Sequence, residues 1–325
     1  MRIAAEEAAV KGGALPTPSG KSKKGFGLKG NRKDLIFYVA LMAWPVLQFV
    51  ICYIWVNASS FIMAFQNINV ATGVTSWTFD NFGNILREIS WSNFWTMALN
   101  SVLAWLLTLV VSIPLGLLFS YYIYKKMPGS IFFRAVLFLP SIISAIVMVT
   151  IFRYFVSSAM PSFINDLFGK EIPNLLDPAT GYAFWTVMFY TIWMGFGTSV
   201  LMYSNGMSGI DPELVDAAHI DGATGIREFW HITLPLVFPT LSVFLITSVA
   251  NIFINQINLY SFYGGSAHSG IQTFGYYLYM AVKRADGDYG TYPRLAAFGL
   301  ILTAVAIPLT LFVRWLLEKY GPSED

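Results

Sequence analysis

Thr247, Asn251, Asn255 and Asn258 stand four, four and three residues apart in an otherwise apolar stretch. On a helix that spacing puts all four on one face. The chemistry they offer is hydrogen bonding without charge. An amide presents a donor and an acceptor together, as a hydroxyl-rich solute requires, and Tyr260 nearby adds a flat surface on which a ring could stack. Two readings fit the stripe: the lining of a water-filled path, or hydrogen bonds between packed helices worth roughly 0.6 kcal/mol each. Gln256 falls off this face, and Ser141 and Ser144 are candidates to join it from elsewhere in the chain.

Bond-breaking chemistry has no visible means. There is no His-Glu-x-x-His and no paired carboxylate to act as acid and base. His219, His231 and His268 stand alone, as surface polar groups do more often than ligands. No catalytic residue and no metal site is expected. Ser19-Gly20-Lys21-Ser22 echoes the end of a phosphate-binding loop, but its first glycine would have to occupy position 15, which is Leu15, and no strand precedes it. The chain is expected to bind no cofactor itself. Cys52 is the only cysteine, so no internal disulfide forms. A net charge of +2 gives no sign of nucleic acid, and no such partner is expected.

The elements that must position these residues are membrane helices. The sequence is 56% hydrophobic and 12% charged over 325 residues, against about half apolar and a quarter charged for soluble domains. Six stretches are apolar over about 20 residues or more: 35–57, 95–123, 131–156, 183–204, 233–257 and 295–316. An all-α membrane protein with six transmembrane helices follows, since such lengths exceed what barrel strands need. With the N-terminus inside, fourteen Lys and Arg fall on the inner side and six on the outer. The bias predicts both termini in the cytoplasm, in a multi-pass protein of the bacterial cell membrane in contact with lipid.

Residues 1–33 are basic and rich in Gly, Ser and Pro, and read as a disordered cytoplasmic tail without a signal-peptide core. The six-helix transmembrane domain is expected to occupy 34–320. Between the first two spans, Phe65, Trp77, Phe79, Phe82, Trp91 and Phe94 predict a packed cap or interfacial anchors.

As drawn, the spans hold no Asp, Glu, Lys or His, with Arg134 and Arg153 near the ends of the third. An ion-driven pump needs a titratable or charged partner within the membrane, so an ion relay is disfavoured. Transport by such a chain draws its energy from another subunit, or is passive. The loop 205–232 on the cytoplasmic side is the place for a partner. Asp211 as N-cap, Pro212 at the first helical position and Glu213 in the first turn open a helix that runs to about Ile220. Gly222 allows a sharp turn. Residues 223–232 then predict a second short helix, with Ile226, Phe229 and Trp230 on one apolar face beside Arg227 and Glu228, before Pro235 in the first turn of the fifth span. Such a helix suits a groove on another protein or the lipid headgroups about equally.

The run Asp216-Ala217-Ala218-x-x-Asp221-Gly222-Ala223, with nine residues between Gly222 and Ile232 and then Leu234-Pro235, resembles the signature loop of binding-protein-dependent ABC importer permeases. Asp216 stands where that signature has Glu, one methylene longer. Phe79-Asp80-Asn81-Phe82, Phe94-Trp95, Asn100-Ser101 and Leu137-Phe-Leu-Pro140 are similar to the carbohydrate-uptake, maltose-type branch, over residues 35–317. The resemblance implies the type I ABC importer permease fold, a second homologous permease subunit, two ATPase subunits carrying ATP and Mg, and an extracytoplasmic solute-binding protein. It also implies that 223–232 is the coupling helix seated in an ATPase cleft. The solute implied is a carbohydrate, an oligosaccharide ahead of a polyol or glycerophosphodiester, and a neutral one because the fifth span has no Arg. An ATP-independent carrier or channel is the rival class.

Overall fold

The computed structural model describes residues 32–69 and 72–322, so the tail expected over 1–33 lies outside the described residues except at its last two positions. The chain divides into two units, Met1–Asn57 and Ala58–Asp325. In the first, the backbone is helical from Arg32, contains Pro45, and widens to π turns over Phe49–Trp55. This is the body of α1, Leu35–Met63, apolar on every side as a lipid-facing helix is.

The second unit carries a hairpin of β1 (Gln66–Ile68) and β2 (Thr75–Trp77), antiparallel with Asn67 opposite Ser76. Next come α2 (Asp80–Glu88), α3 (Trp91–Tyr124), α4 (Ser130–Ile142), α5 (Ala145–Phe168), α6 (Ala183–Ser208) and α7 (Pro212–Ile220). The chain closes with α8 (Ile226–Ala250), α9 (Leu259–Tyr263), α10 (Phe274–Arg284) and α11 (Tyr292–Tyr320). Six of these helices, α1, α3, α5, α6, α8 and α11, are long and apolar enough to cross a bilayer.

Three spans change pitch just before a proline. Ile113, Met160 and Leu234 each donate their N–H to the carbonyl five residues back, at Thr108, Phe155 and Phe229. Pro114, Pro161 and Pro235 follow at once. A proline ring crowds the carbonyl four residues earlier and has no N–H to offer it, so the turn ahead widens and the backbone stays hydrogen-bonded inside the membrane.

The stretch 131–156, drawn from composition as one span, is two helices. Helix α4 contains Pro140 and ends at Ile142; Ile143 and Ser144 are extended, with ψ of 142° and 134°, and α5 starts afresh at Ala145. Thirteen residues make about 20 Å of helix, too short to cross. Both pieces are apolar, so hydropathy alone does not register the break. The crossing helix thereby moves toward the C-terminus and carries Arg153 within it. Helix α4 lies on α6, where a Cβ on Gly197 would strike the Leu137 carbonyl, so the two backbones touch.

Three clusters hold the second unit. Met148, Phe152, Tyr190 and Phe262 pack α5, α6 and α9. Ile85, Met97, Phe274 and Phe298 join α2, α3, α10 and α11. Leu117, Tyr203, Met207, Phe229 and Val237 gather the other end of α3 and α6 with the head of α8. The aromatics up to the start of α3 divide their roles: Phe65 packs 5.2 Å from Phe82 and 5.3 Å from Phe79, while Trp77 and Trp91 are exposed. Asn81 fixes this cap by donating to the carbonyls of Ala64 at 3.0 Å and Gln66 at 2.8 Å.

Candidate functional site: a docking end and a polar turn

At one end of the helices lies the loop 205–232. The Asp211 carboxylate accepts from the Glu213 N–H at 3.0 Å, capping α7 behind Pro212. Gly222 has φ of +81°, the left-handed turn for which glycine is suited, and nothing lies within 4 Å of where its Cβ would be. Gly225, at φ +58°, makes a second such turn.

The second helix differs from expectation. Residues 223–225 are not helical, and the helix from Ile226 runs without interruption through the π turn of Phe229–Thr233 into α8. The wider turn also breaks the apolar face. Phe229 is 3% exposed, with its ring 5.1 Å from Tyr121, whereas Ile226 and Trp230 are 76% and 58% exposed. The outward apolar residues are Leu214 and Ile220 of α7 together with Ile226 and Trp230. Asp216, Ala217, Asp221 and Gly222 lie exposed among them, Ala218 is buried, and Ala223 and Pro235 are half-buried.

Glu228, which sequence reading placed beside the apolar face, is the anchor of this end. It is 1% exposed, with one oxygen 2.6 Å from Lys125 Nζ at the end of α3 and the other 2.9 Å from His219 Nε2 of α7. Tyr121 donates to the Gly225 carbonyl at 2.9 Å. One carboxylate thus joins α3, α7 and α8. The pair Lys125-Lys126 closing one span and a lone Glu opening another is the signal for it in the sequence, though nothing there pairs them.

At the opposite end, the predicted polar face is split. Helix α8 stops at Ala250, so the four residues do not share a helix. Thr247 donates to the Val243 carbonyl at 2.7 Å and Asn251, the C-cap, to the Thr247 carbonyl at 2.8 Å, both back onto α8. Asn255 and Asn258 lie beyond, in a turn where Ile257 and Asn258 take φ of +46° and +60°. Asn tolerates that region; a β-branched residue is strained there. The surroundings hold it: Ile257 is buried, its carbonyl accepts from Thr191 Oγ1 at 3.3 Å, and Thr273 Oγ1 donates to the Asn255 carbonyl at 2.9 Å. A Cβ on Gly275 would strike the Ile254 carbonyl, so α10 packs directly on this turn.

The turn walls a hollow of about 360 Å³, lined by Asn255, Gln256, Ile257, Asn258, Tyr260, Ser261 and Tyr279. Asn255, Asn258 and Tyr260 come together here through the turn and not on a shared helical face; Thr247 and Asn251 do not line the hollow, and Gln256 does. Ser141 donates to the Phe138 carbonyl at 2.7 Å and does not line the hollow. The Tyr260 ring lies 4.9 Å from Tyr279 and under the Lys283 ammonium, 4.2 Å away, which also donates to the Tyr260 hydroxyl. That hydrogen bond holds the Lys283 pKa above its ordinary value, so the ammonium stays charged. A smaller hollow, about 150 Å³, is lined by Arg153, Ser157, Asn174, Leu176, Phe262 and Tyr263. Burial pushes the Tyr263 hydroxyl up to about 12, and it donates to the Leu176 carbonyl at 2.8 Å.

Residues 112–323 match the family model described as binding-protein-dependent transport system inner membrane component. The chain is similar to the arabinooligosaccharides transport system permease protein AraP of Halalkalibacterium halodurans, 25% identical over 290 residues, which cover 86% of this chain and 87% of that one. It is similar as well to the polygalacturonan/rhamnogalacturonan transport system permease protein YteP of Bacillus subtilis, 24% identical over 315 residues, 90% of this chain and 93% of that one. In fold it resembles a chain of a bacterial ABC transporter involved in the import of the acidic polysaccharide alginate, with a TM-score of 0.70, 20% identity, and 89% and 97% of the two chains covered. With six membrane-crossing helices, the chain belongs to the binding-protein-dependent transport system inner membrane components, as a multi-pass permease subunit of an ABC importer in the cytoplasmic membrane and not an enzyme.

Proposed function

We propose that this permease imports a carbohydrate, forming half of a translocation path with a second homologous permease. Two separate ATPase subunits carrying ATP and Mg drive it, and an extracytoplasmic binding protein delivers the solute. The observation that carries the reading is the hollow at 255–261, where uncharged amides and an aromatic ring converge on a turn clamped by α6 and α10. Amides and hydroxyls give a sugar both donors and acceptors, and the ring gives it a face. The names of AraP and YteP, and the acidic polysaccharide carried by the transporter of the same fold, support a saccharide over a polyol or glycerophosphodiester.

The loop 205–232 faces the cytoplasm in this reading, as the Lys and Arg bias favours. The exposed side of α7, with Leu214 and Ile220 beside Ile226 and Trp230, enters the ATPase cleft. Closure of the ATPase pair pulls on α7, and Glu228 passes the pull to α3 and α8. ATP does work here only because its binding favours one of two permease arrangements. Uptake of oligosaccharide into proteoliposomes holding the complete assembly should require ATP and both permeases. Uptake that continues after the ATPase subunits are stripped away would mark a passive carrier instead.

A further inference from the structure

Two cations stand at the two hollows of the polar turn without a carboxylate to balance them. Lys283 rests on the ring of Tyr260, a residue that lines the larger hollow, and Arg153 lines the smaller one. Among the described residues the acid-base pairs are Lys125 and His219 with Glu228, Arg294 with Glu88, and Arg314 with Glu318, so neither cation has an acid within 4 Å. Asp177, the acid that acts on Tyr263 alongside Arg153, is engaged as the cap of its own turn, accepting from the Ala179 N–H at 2.9 Å. An arginine within a membrane-crossing helix is costly unless it faces water, a partner or a ligand, and both cations are exposed. The hollows share one short wall, since Tyr260 and Ser261 of α9 line the first and Phe262 and Tyr263 line the second.

We infer that the path takes an acidic oligosaccharide, with the carboxylates of separate uronate rings set against Lys283 and Arg153. This rests on the reading of 255–261 as solute path and replaces the neutral sugar favoured by composition, which counted cations on the fifth span alone and so passed over Lys283 of α10 and Arg153 of α5. The arrangement fits one charge per ring. A phosphate draws several donors onto one point, whereas these cations stand at separate hollows, each beside aromatic rings: Tyr260 and Tyr279 at one, Phe262 and Tyr263 at the other.

The test uses the complete transporter in proteoliposomes with two probes of equal length, trigalacturonate and maltotriose. Trigalacturonate should accumulate and maltotriose should not. Lys283→Gln and Arg153→Gln should each lower trigalacturonate uptake by about tenfold, the loss expected for a charged hydrogen bond, while Lys283→Arg keeps most of it. Preference for maltotriose, or unchanged trigalacturonate uptake in both Gln variants, overturns the inference and leaves the carbohydrate permease standing. An Arg153→Gln chain that no longer assembles, beside a Lys283→Gln transporter of normal uptake, overturns it too, because Arg153 then serves the subunit contact. Carriage of a sugar phosphate in place of trigalacturonate removes the uronate assignment. ATP-driven transport of a solute that is no sugar removes both this inference and the reading beneath it.

Discussion

Glu228→Gln is the sharpest perturbation of the docking end. The amide keeps the shape of the carboxylate and can still bond His219, but it leaves Lys125 with no counter-charge. Breaking a fully buried ion pair costs about 3–5 kcal/mol. The side chains of Lys125 and His219 are 23% and 43% exposed, so water recovers part of that loss, and about 1–3 kcal/mol is expected instead. That is roughly a five- to 150-fold rise in the fraction of time α7 is detached from α3 and α8. Hydrogen exchange reads it directly. The Ala223 and Phe229 amides, bonded to the carbonyls of Ala218 at 2.9 Å and Gly225 at 3.0 Å, should lose protection by that factor, while amides in the middle of α6 should not. Solute-stimulated ATPase should fall with it. The double variant Lys125→Met/Glu228→Leu should restore most of the protection, since two apolar groups leave no orphaned charge. Unchanged exchange in Glu228→Gln, or a double variant worse than the single one, refutes the role of this node.

Other predictions follow from the same geometry. Gly222→Asp should abolish copurification with the ATPase while lowering stability by only about 1–2 kcal/mol, the cost of a left-handed non-glycine residue, because its Cβ meets open space; normal transport by the variant would sink the docking assignment. Asn255→Leu should reduce uptake in proteoliposomes with basal ATPase retained, whereas Asn251→Leu, whose amide bonds its own helix, should reduce it far less; equal losses would contradict the split between the two. Gly197→Ala should lower the melting temperature, since overpacking against the Leu137 carbonyl costs about 1–3 kcal/mol. A melting curve matching that of the parent would show that α4 and α6 are free to separate.

Legibility differed by element. The six crossing helices are written in composition, because lipid demands long apolar runs whatever their neighbours. The break after Pro140 was hidden, since apolar residues on both sides look alike to any hydropathy window. The start of α7 was legible because Asp211, Pro212 and Glu213 act within one turn of chain. The extent of the next helix was not. Its π turn arises from Pro235, and it rotates Phe229 into the core away from Ile226 and Trp230. Helical periodicity along 247–258 fails once Asn251 ends the helix, and Asn255 and Asn258 meet at a hollow through turn geometry instead.

By itself the sequence determined that this chain is a membrane protein with six helices long and apolar enough to cross a bilayer. It also carried the signature loop, because solvent preference, caps and motif spacing are local properties. Only the tertiary structure decided which distant residues meet: Glu228 with Lys125 and His219, Arg153 and Lys283 with the turn at 255–263. Glu228 meets Lys125, and Arg153 meets the turn, through the packing of helices about a hundred residues apart in the chain, and even the nearer pairs meet only through turns and packing that neither charge nor periodicity along the chain encodes.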